Sequence, residues 1–189
     1  MSELPQCLIT GATLRTAARR GGYYDLIIEE AGISYCTTEP FWADLRDAPG
    51  RAEIDKAQMR KFAFWIRQKN MDGEEYPDLA QFFPGDARGN IARTIRNLPR
   101  PTVEERIASY LLWAEATCGG DLGKPVDYEG HGSDLAGMVA ACASSQQDYV
   151  AFLRDLSTQG LLQADNETEN RFRLTLQGLQ RCEELRERR

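Results

Sequence analysis

Pro99-Arg100-Pro101, near the middle of the chain, constrains the fold more than any other stretch. Two prolines separated by one residue fix φ twice, remove two backbone donors and push the residues before them out of the helical region. No regular element crosses such a segment. A chain of 189 residues admits one long domain or two small ones. The break favours two parts, 1–98 and 102–189.

The two parts differ in charge. Residues 1–101 carry 14 basic and 14 acidic side chains, and 102–189 carry 9 and 15, so the second part supplies the whole net charge of −6. At 42% apolar and 28% charged residues the chain can bury a core in each part and has no disorder signature. The start MSELPQC lacks the basic region and apolar run of a signal peptide. No apolar run approaches the ~18 residues of a membrane span. The expectation is a cytoplasmic protein with no membrane contact.

The second part carries the clearer element signals. Thr102 caps a helix with Glu104 and Glu105 in its first turn and the apolar stripe Val103, Ile107, Tyr110, Leu111, Ala114, ending at Gly119-Gly120. A loop over 121–132 leads to a short helix from a Ser133 cap to about Cys142. The next helix spans 146–159, with core residues Tyr149, Phe152, Leu153 and Leu156 and a stop glycine at Gly160. Short strands at 161–164 and 171–174 flank an acidic tip, and Thr175 opens the last helix. Helix, helix, helix, β-hairpin, helix is the order of a winged helix-turn-helix.

In the first part, 23–29 and 33–38 read as a β-hairpin around Glu30-Ala31-Gly32, with Gly32 supplying the positive φ of the turn. Thr38 caps a short helix over 39–47. Residues 51–70 read as the longest helix, with Met59, Phe62, Ala63 and Ile66 facing the core and Phe64 and Trp65 widening its apolar arc. A loop with one helical turn near 78–83 leads to a helix over 86–98. The fold class is therefore α+β and mostly α.

Cys7 stands before Thr10-Gly11, and Ile28 and Ala31 stand before Gly32, where two zinc knuckles would each read Cys-x-x-Cys-Gly. The five cysteines, Cys7, Cys36, Cys118, Cys142 and Cys182, are scattered, with no Cys-x-x-Cys, and read as reduced thiols. With a single histidine the chain has no recognisable metal-ligand spacing, so neither zinc nor another cofactor is expected.

Leu98-Pro99, Glu104-Glu105-Arg106, the Leu-Ser-Thr-Gln-Gly-Leu-Leu run at 156–162 and Leu174-Thr175-Leu176-Gln177-Gly178-Leu179 resemble a recurrent bacterial module. In that module a zinc ribbon and linker helices precede a winged helix ending in a leucine-threonine-x-glycine-tryptophan helix. It often accompanies nucleoside deoxyribosyltransferase-like or TIR-like effector domains, several tied to phage defence. The chain departs from it in keeping only Cys7 of the knuckle positions and in having Leu179 where the module has tryptophan. With the sequence ending at Arg189, the expectation is a chain without the effector domain. The resemblance implies an accessory subunit with a degenerate, metal-free ribbon.

Catalytic signals are weak. His131 lies in Gly130-His131-Gly132, and a Cys/His nucleophile would need Cys118 or Cys142 in its reach with Asp134 orienting the ring. No glycine group is followed by the Gly-Lys-Ser/Thr of a phosphate loop. Asp72, Glu74, Glu75 and Asp78 lack calcium-loop spacing. No catalytic residue is assigned, and a non-enzyme is expected.

Binding remains. Third-helix residues Gln146, Gln147 and Arg154 are the candidate recognition set, and Asp148 and Asp155 on the same helix oppose phosphate. Asp165, Glu167 and Glu169 at the hairpin tip oppose it too. Candidate nucleic-acid contacts lie in the first part at Arg15, Arg19, Arg20, Arg60, Lys61, Arg67, Lys69, Arg88, Arg93 and Arg96, with Tyr23 or Trp65 able to stack on a base. The expected function is a non-enzymatic subunit that docks a protein partner, with DNA or RNA as a further contact. The alternative is a sequence-specific transcriptional regulator.

Overall fold

The computed structural model describes residues 7–10, 17–18, 26–47, 50–83, 91–126, 133–164 and 171–188. The chain is α+β and mostly α, with seven α-helices among the described residues. It divides into two compact units, Met1–Arg100 and Pro101–Arg189. None of the described helices is long and apolar enough to cross a membrane.

The first unit begins with an antiparallel sheet in the order β1 (Ala17–Ala18), β2 (Leu26–Glu30), β3 (Ile33–Thr37). Glu30 pairs with Ile33, which leaves a two-residue turn, Ala31-Gly32, rather than the three-residue tip expected. Both turn residues take positive φ, 49° and 76°. That is the type I′ pattern whose twist matches the flanking strands, so Ala31 shares the left-handed requirement with Gly32. The outer edge of β3 is closed by the segment around Pro77: the Cys36 N–H donates to the Pro77 carbonyl (3.1 Å) and the Cys36 thiol to the Tyr76 carbonyl (3.1 Å).

Helix α1 (Glu39–Asp47) starts where Thr38 Oγ accepts the Phe41 N–H. The helix expected over 51–70 is shorter at its start. Arg51–Glu53 is a 3₁₀ turn, Asp55 is extended, and α2 spans Lys56–Met71. The reason is a capping box. The Asp55 carboxylate accepts the Gln58 N–H (2.7 Å), and the Gln58 side chain accepts the Asp55 N–H (3.0 Å). A 3₁₀ turn at Leu79–Phe82 and helix α3 (Ile91–Asn97) complete the unit. Its core joins Tyr35, Leu45, Phe62, Phe64, Ile66, Leu79, Ile91 and Ile95. α2 packs against both β3 and α3, which is why Phe64 is buried outside the principal stripe.

In the second unit α4 (Val103–Cys118), α5 (Ser133–Ala140) and α6 (Gln146–Thr158) precede a hairpin of β4 (Leu162–Ala164) and β5 (Phe172–Leu174), and α7 (Leu176–Glu187) follows. Val126, ahead of α5, adds an antiparallel bridge to Phe172, with its N–H 2.8 Å from the Phe172 carbonyl. The sequence reading contained no such strand. The caps explain the boundaries: Thr102, Ser145 and Thr175 each accept an N–H three residues on, and Thr102 forms a full capping box with Glu105. Helix α5 stops two residues earlier than expected because Cys142 turns left-handed (φ 47°), with the Ala143 N–H reaching the Met138 carbonyl. Gly160 ends α6 in the same way.

Tyr110, Leu111, Ala114, Leu153, Leu156, Leu162, Cys182 and their neighbours form one continuous core. Val103, expected in the α4 stripe, is 67% exposed at the first helical position, so the stripe becomes core only from Ile107 onwards. The Thr175 hydroxyl joins the last helix to the end of α6: it donates to the Gly160 carbonyl (2.6 Å) and accepts the Gly178 N–H (3.0 Å).

Candidate binding surfaces

The outward face of α6 is built by its capping and by a clamp from α4. With Tyr149, Phe152, Leu153 and Leu156 turned into the core, Gln146, Gln147, Ala151, Arg154, Asp155 and Thr158 are exposed. Asp148, expected on this face, is half-buried and committed elsewhere. It accepts the Ser144 N–H (2.7 Å) and hydroxyl (3.0 Å) and lies 3.5 Å from the Arg106 guanidinium. Burial pushes its carboxyl upward, but the Ser144 bonds and Arg106 outweigh burial and hold it below the usual carboxylate range. Arg106 also donates to the Ala141 carbonyl (2.7 Å) and lies 4.9 Å from the centre of the Phe152 ring. The turn between α5 and α6 is thereby fixed from three sides. The face it presents carries one positive and one negative charge, Arg154 and Asp155.

The hairpin that follows α6 brings two cations the sequence reading missed, Arg171 just before β5 and Arg173 within it. Both are partly buried, on either side of the buried Phe172. The signal was present in Arg-Phe-Arg, because strand alternation that turns Phe172 inward turns its neighbours the other way. The acidic tip residues Asp165, Glu167 and Glu169 lie outside the described residues.

The basic candidates of the first unit divide into three groups. Arg15, Arg19, Arg20 and Arg88 lie outside the described residues, as does Tyr23. Most of the others are engaged within the protein. Lys61 Nζ donates to the Arg96 (3.0 Å) and Leu98 (2.7 Å) carbonyls, where a cation suits the negative end of α3. Arg67 donates to the Gly32 carbonyl (2.8 Å), Lys69 pairs with Glu74 (2.8 Å), and Arg96 pairs with Glu53 (2.5 Å). Arg60 is half-buried on α2. Arg93 is exposed on α3, so it remains available to a ligand. Trp65 donates its ring N–H to the Pro99 carbonyl (2.9 Å).

The acids of the loop after α2 also hold structure: Glu74 pairs with Lys69, and Asp78 accepts the Ala80 N–H (3.0 Å) at the head of the 3₁₀ turn. Asn70 bridges this loop to β3, accepting the Ser34 N–H (3.0 Å) and donating to the Ser34 carbonyl (2.9 Å).

Cys7, Cys36, Cys118 and Cys182 are buried and Cys142 half-buried. Burial, then the nearby Glu115 carboxylate, push the Cys182 thiol up to about 12. Burial and Asp78 raise Cys36. Both stay protonated at neutral pH, and a protonated thiol is a poor nucleophile. His131 lies outside the described residues, as does the Asp134 side chain. Cys7 Sγ accepts the Thr10 N–H (3.5 Å) and lies 3.2 Å from the Tyr35 hydroxyl. No group of three or more metal-ligating side chains comes together among the described residues. Comparison with family models, curated proteins and solved structures finds no match for this chain.

Proposed function

We propose that this chain is a non-enzymatic accessory subunit in which a metal-free ribbon unit precedes a winged-helix unit that docks a partner protein, an effector of a bacterial defence system. The winged-helix reading is supported by the element order of the second unit and by the Val126–Phe172 bridge, which adds the short strand such a unit places between its first two helices. The ribbon reading is supported by the turn at Leu8–Thr10. There a backbone N–H points at the Cys7 sulfur as in a knuckle, and the Tyr35 hydroxyl meets that sulfur from β3.

The observation that carries the docking role is the charge of the α6 face. Binding to a phosphate backbone draws its free energy from released counterions and so from unpaired lysine and arginine. The α6 face offers Arg154 against Asp155, and four of the first unit's cations are held by its own carbonyls and carboxylates. A surface of amides with few charges suits a protein partner better. Nucleic acid is then a secondary contact, through Arg93 and the remaining basic residues of the first unit.

A DNA-binding regulator is the second reading, favoured by Arg171 and Arg173, which flank Phe172 in the hairpin. A salt titration of the full chain on random-sequence duplex separates the two. The docking role predicts weak binding with a slope equivalent to about two or three phosphate contacts. A slope equivalent to roughly six or more contacts would establish the regulator instead.

A further inference from the structure

Helix α2 holds the chain that leaves α3 by its carbonyls. Lys61 and Trp65 stand one helical turn apart on α2 and so share a face. Lys61 Nζ donates to the Arg96 (3.0 Å) and Leu98 (2.7 Å) carbonyls, and the Trp65 ring N–H donates to the Pro99 carbonyl (2.9 Å). The two bonds from Lys61 carry the ammonium charge, which makes them stronger than bonds between neutral groups. Holding by carbonyls is what this segment's sequence demands. Across Pro99-Arg100-Pro101 only Arg100 has a backbone N–H, so neither a helix nor a strand ladder can fix it. The chain is fixed again at Thr102, the cap of α4. Its N–H donates to the Glu105 carboxylate (2.6 Å), and its hydroxyl accepts the Glu105 N–H (3.2 Å). Between Pro99 and Thr102 stand only Arg100, which is exposed, and Pro101.

We infer that Lys61 and Trp65 form a latch that fastens the connecting segment to the first unit as far as Pro99, leaving only Arg100 and Pro101 to turn. The proline ring fixes φ at Pro101, and Arg100 is confined to extended backbone because a proline follows it. The latched connection is therefore short and stiff. Opening the latch returns Leu98 and Pro99, which follow the end of α3 at Asn97, to the connection. Two added residues lengthen its reach by about 7 Å. The latch thus sets how much slack lies between the two units. It is separate from docking at α6 and stands whatever the second unit binds.

The test is nuclear magnetic relaxation of the backbone amides of the full chain, read at Arg100, for the wild type, Trp65→Phe and the double variant Lys61→Met/Trp65→Phe. The Arg100 N–H shares a peptide plane with the Pro99 carbonyl, so it reports the bond to Trp65 directly. The expected wild-type order parameter is about 0.85, that of rigid backbone, and it drops below about 0.6 in the double variant. Trp65→Phe alone gives an intermediate value. The amides of Ile66 and Ile95 keep their wild-type values, which shows that the unit stays folded. A wild-type Arg100 amide already below about 0.6 overturns the inference without any variant. So does a double variant in which Arg100 is as rigid as in the wild type, since the prolines alone would then account for the stiffness.

Discussion

Ala31 and Cys142 hold left-handed backbone without being glycine, at φ 49° and 47°. Such a conformation brings Cβ against the backbone at a cost of about 1–2 kcal/mol, which asparagine and glycine largely avoid. Ala31→Asn gives the hairpin the Asn-Gly pair preferred in type I′ turns, and chemical denaturation is expected to show a gain of about 0.5–1 kcal/mol. Unchanged or lower stability would mean that the turn is not of this type. Gly178 is the converse case. A Cβ at that position would stand 2.3 Å from the Leu161 backbone carbonyl, which cannot rotate away. Gly178→Ala is therefore expected to cost about 2–3 kcal/mol, and a neutral result would contradict the close approach of α7 to Leu161. The glycine of Leu174-Thr175-Leu176-Gln177-Gly178 thus has a structural reason that needs no ligand. At Asp148 the folded-state pKa is lowered, so its contribution to stability is complete above the unfolded value of about 3.9 and is lost as pH falls through the folded value. Urea denaturation of Asp148→Asn should show a lower plateau at neutral pH and a smaller loss on acidification than the wild type. Parallel curves would remove Asp148 from the clamp.

At the scale of elements, legibility followed local chemistry. Thr102, Ser145 and Thr175 are caps whose side chains close onto a backbone three residues away, so both partners lie within one turn of sequence. Most helix boundaries in the second unit could be read for that reason. The start of α2 was equally local, since Asp55-x-x-Gln58 is a capping box, but the helical pattern upstream of it hid the break. The Val126 bridge and the closure of β3 by the segment around Pro77 were not legible. Each depends on a partner 40 to 46 residues away and on one or two hydrogen bonds that leave no periodicity. The candidate binding surface was legible only in part. The positions of Gln146, Gln147 and Arg154 followed from the stripe they oppose. The commitments of Lys61, Arg67 and Asp148 to distant carbonyls or ions did not, because composition shows a charge and not its partner. The proposed metal-free ribbon makes its own prediction. Treatment with a strong chelator should leave the thermal unfolding of the full chain unchanged, whereas Tyr35→Phe should cost about 0.5–1 kcal/mol by removing the hydroxyl that meets Cys7. A chelator-dependent fall in unfolding temperature would mean that metal holds the first unit.

For the whole molecule, the division at Pro99-Arg100-Pro101 separates two compact units with different electrostatic characters. The first is neutral overall, and several of its cations are internally engaged. The second is acidic and presents an α6 face of amides with a single arginine and a single aspartate. On the proposed reading these features suit a platform for another protein better than a reader of phosphate. The most direct measurement is native mass spectrometry, with an absorbance spectrum, of the tagged chain purified from its native host. The account predicts a stoichiometric second polypeptide and an absorbance near 260 nm no higher than protein alone gives, or a modest excess removed by nuclease. A chain that returns with no second polypeptide, or with a defined DNA duplex as its sole companion, would contradict it.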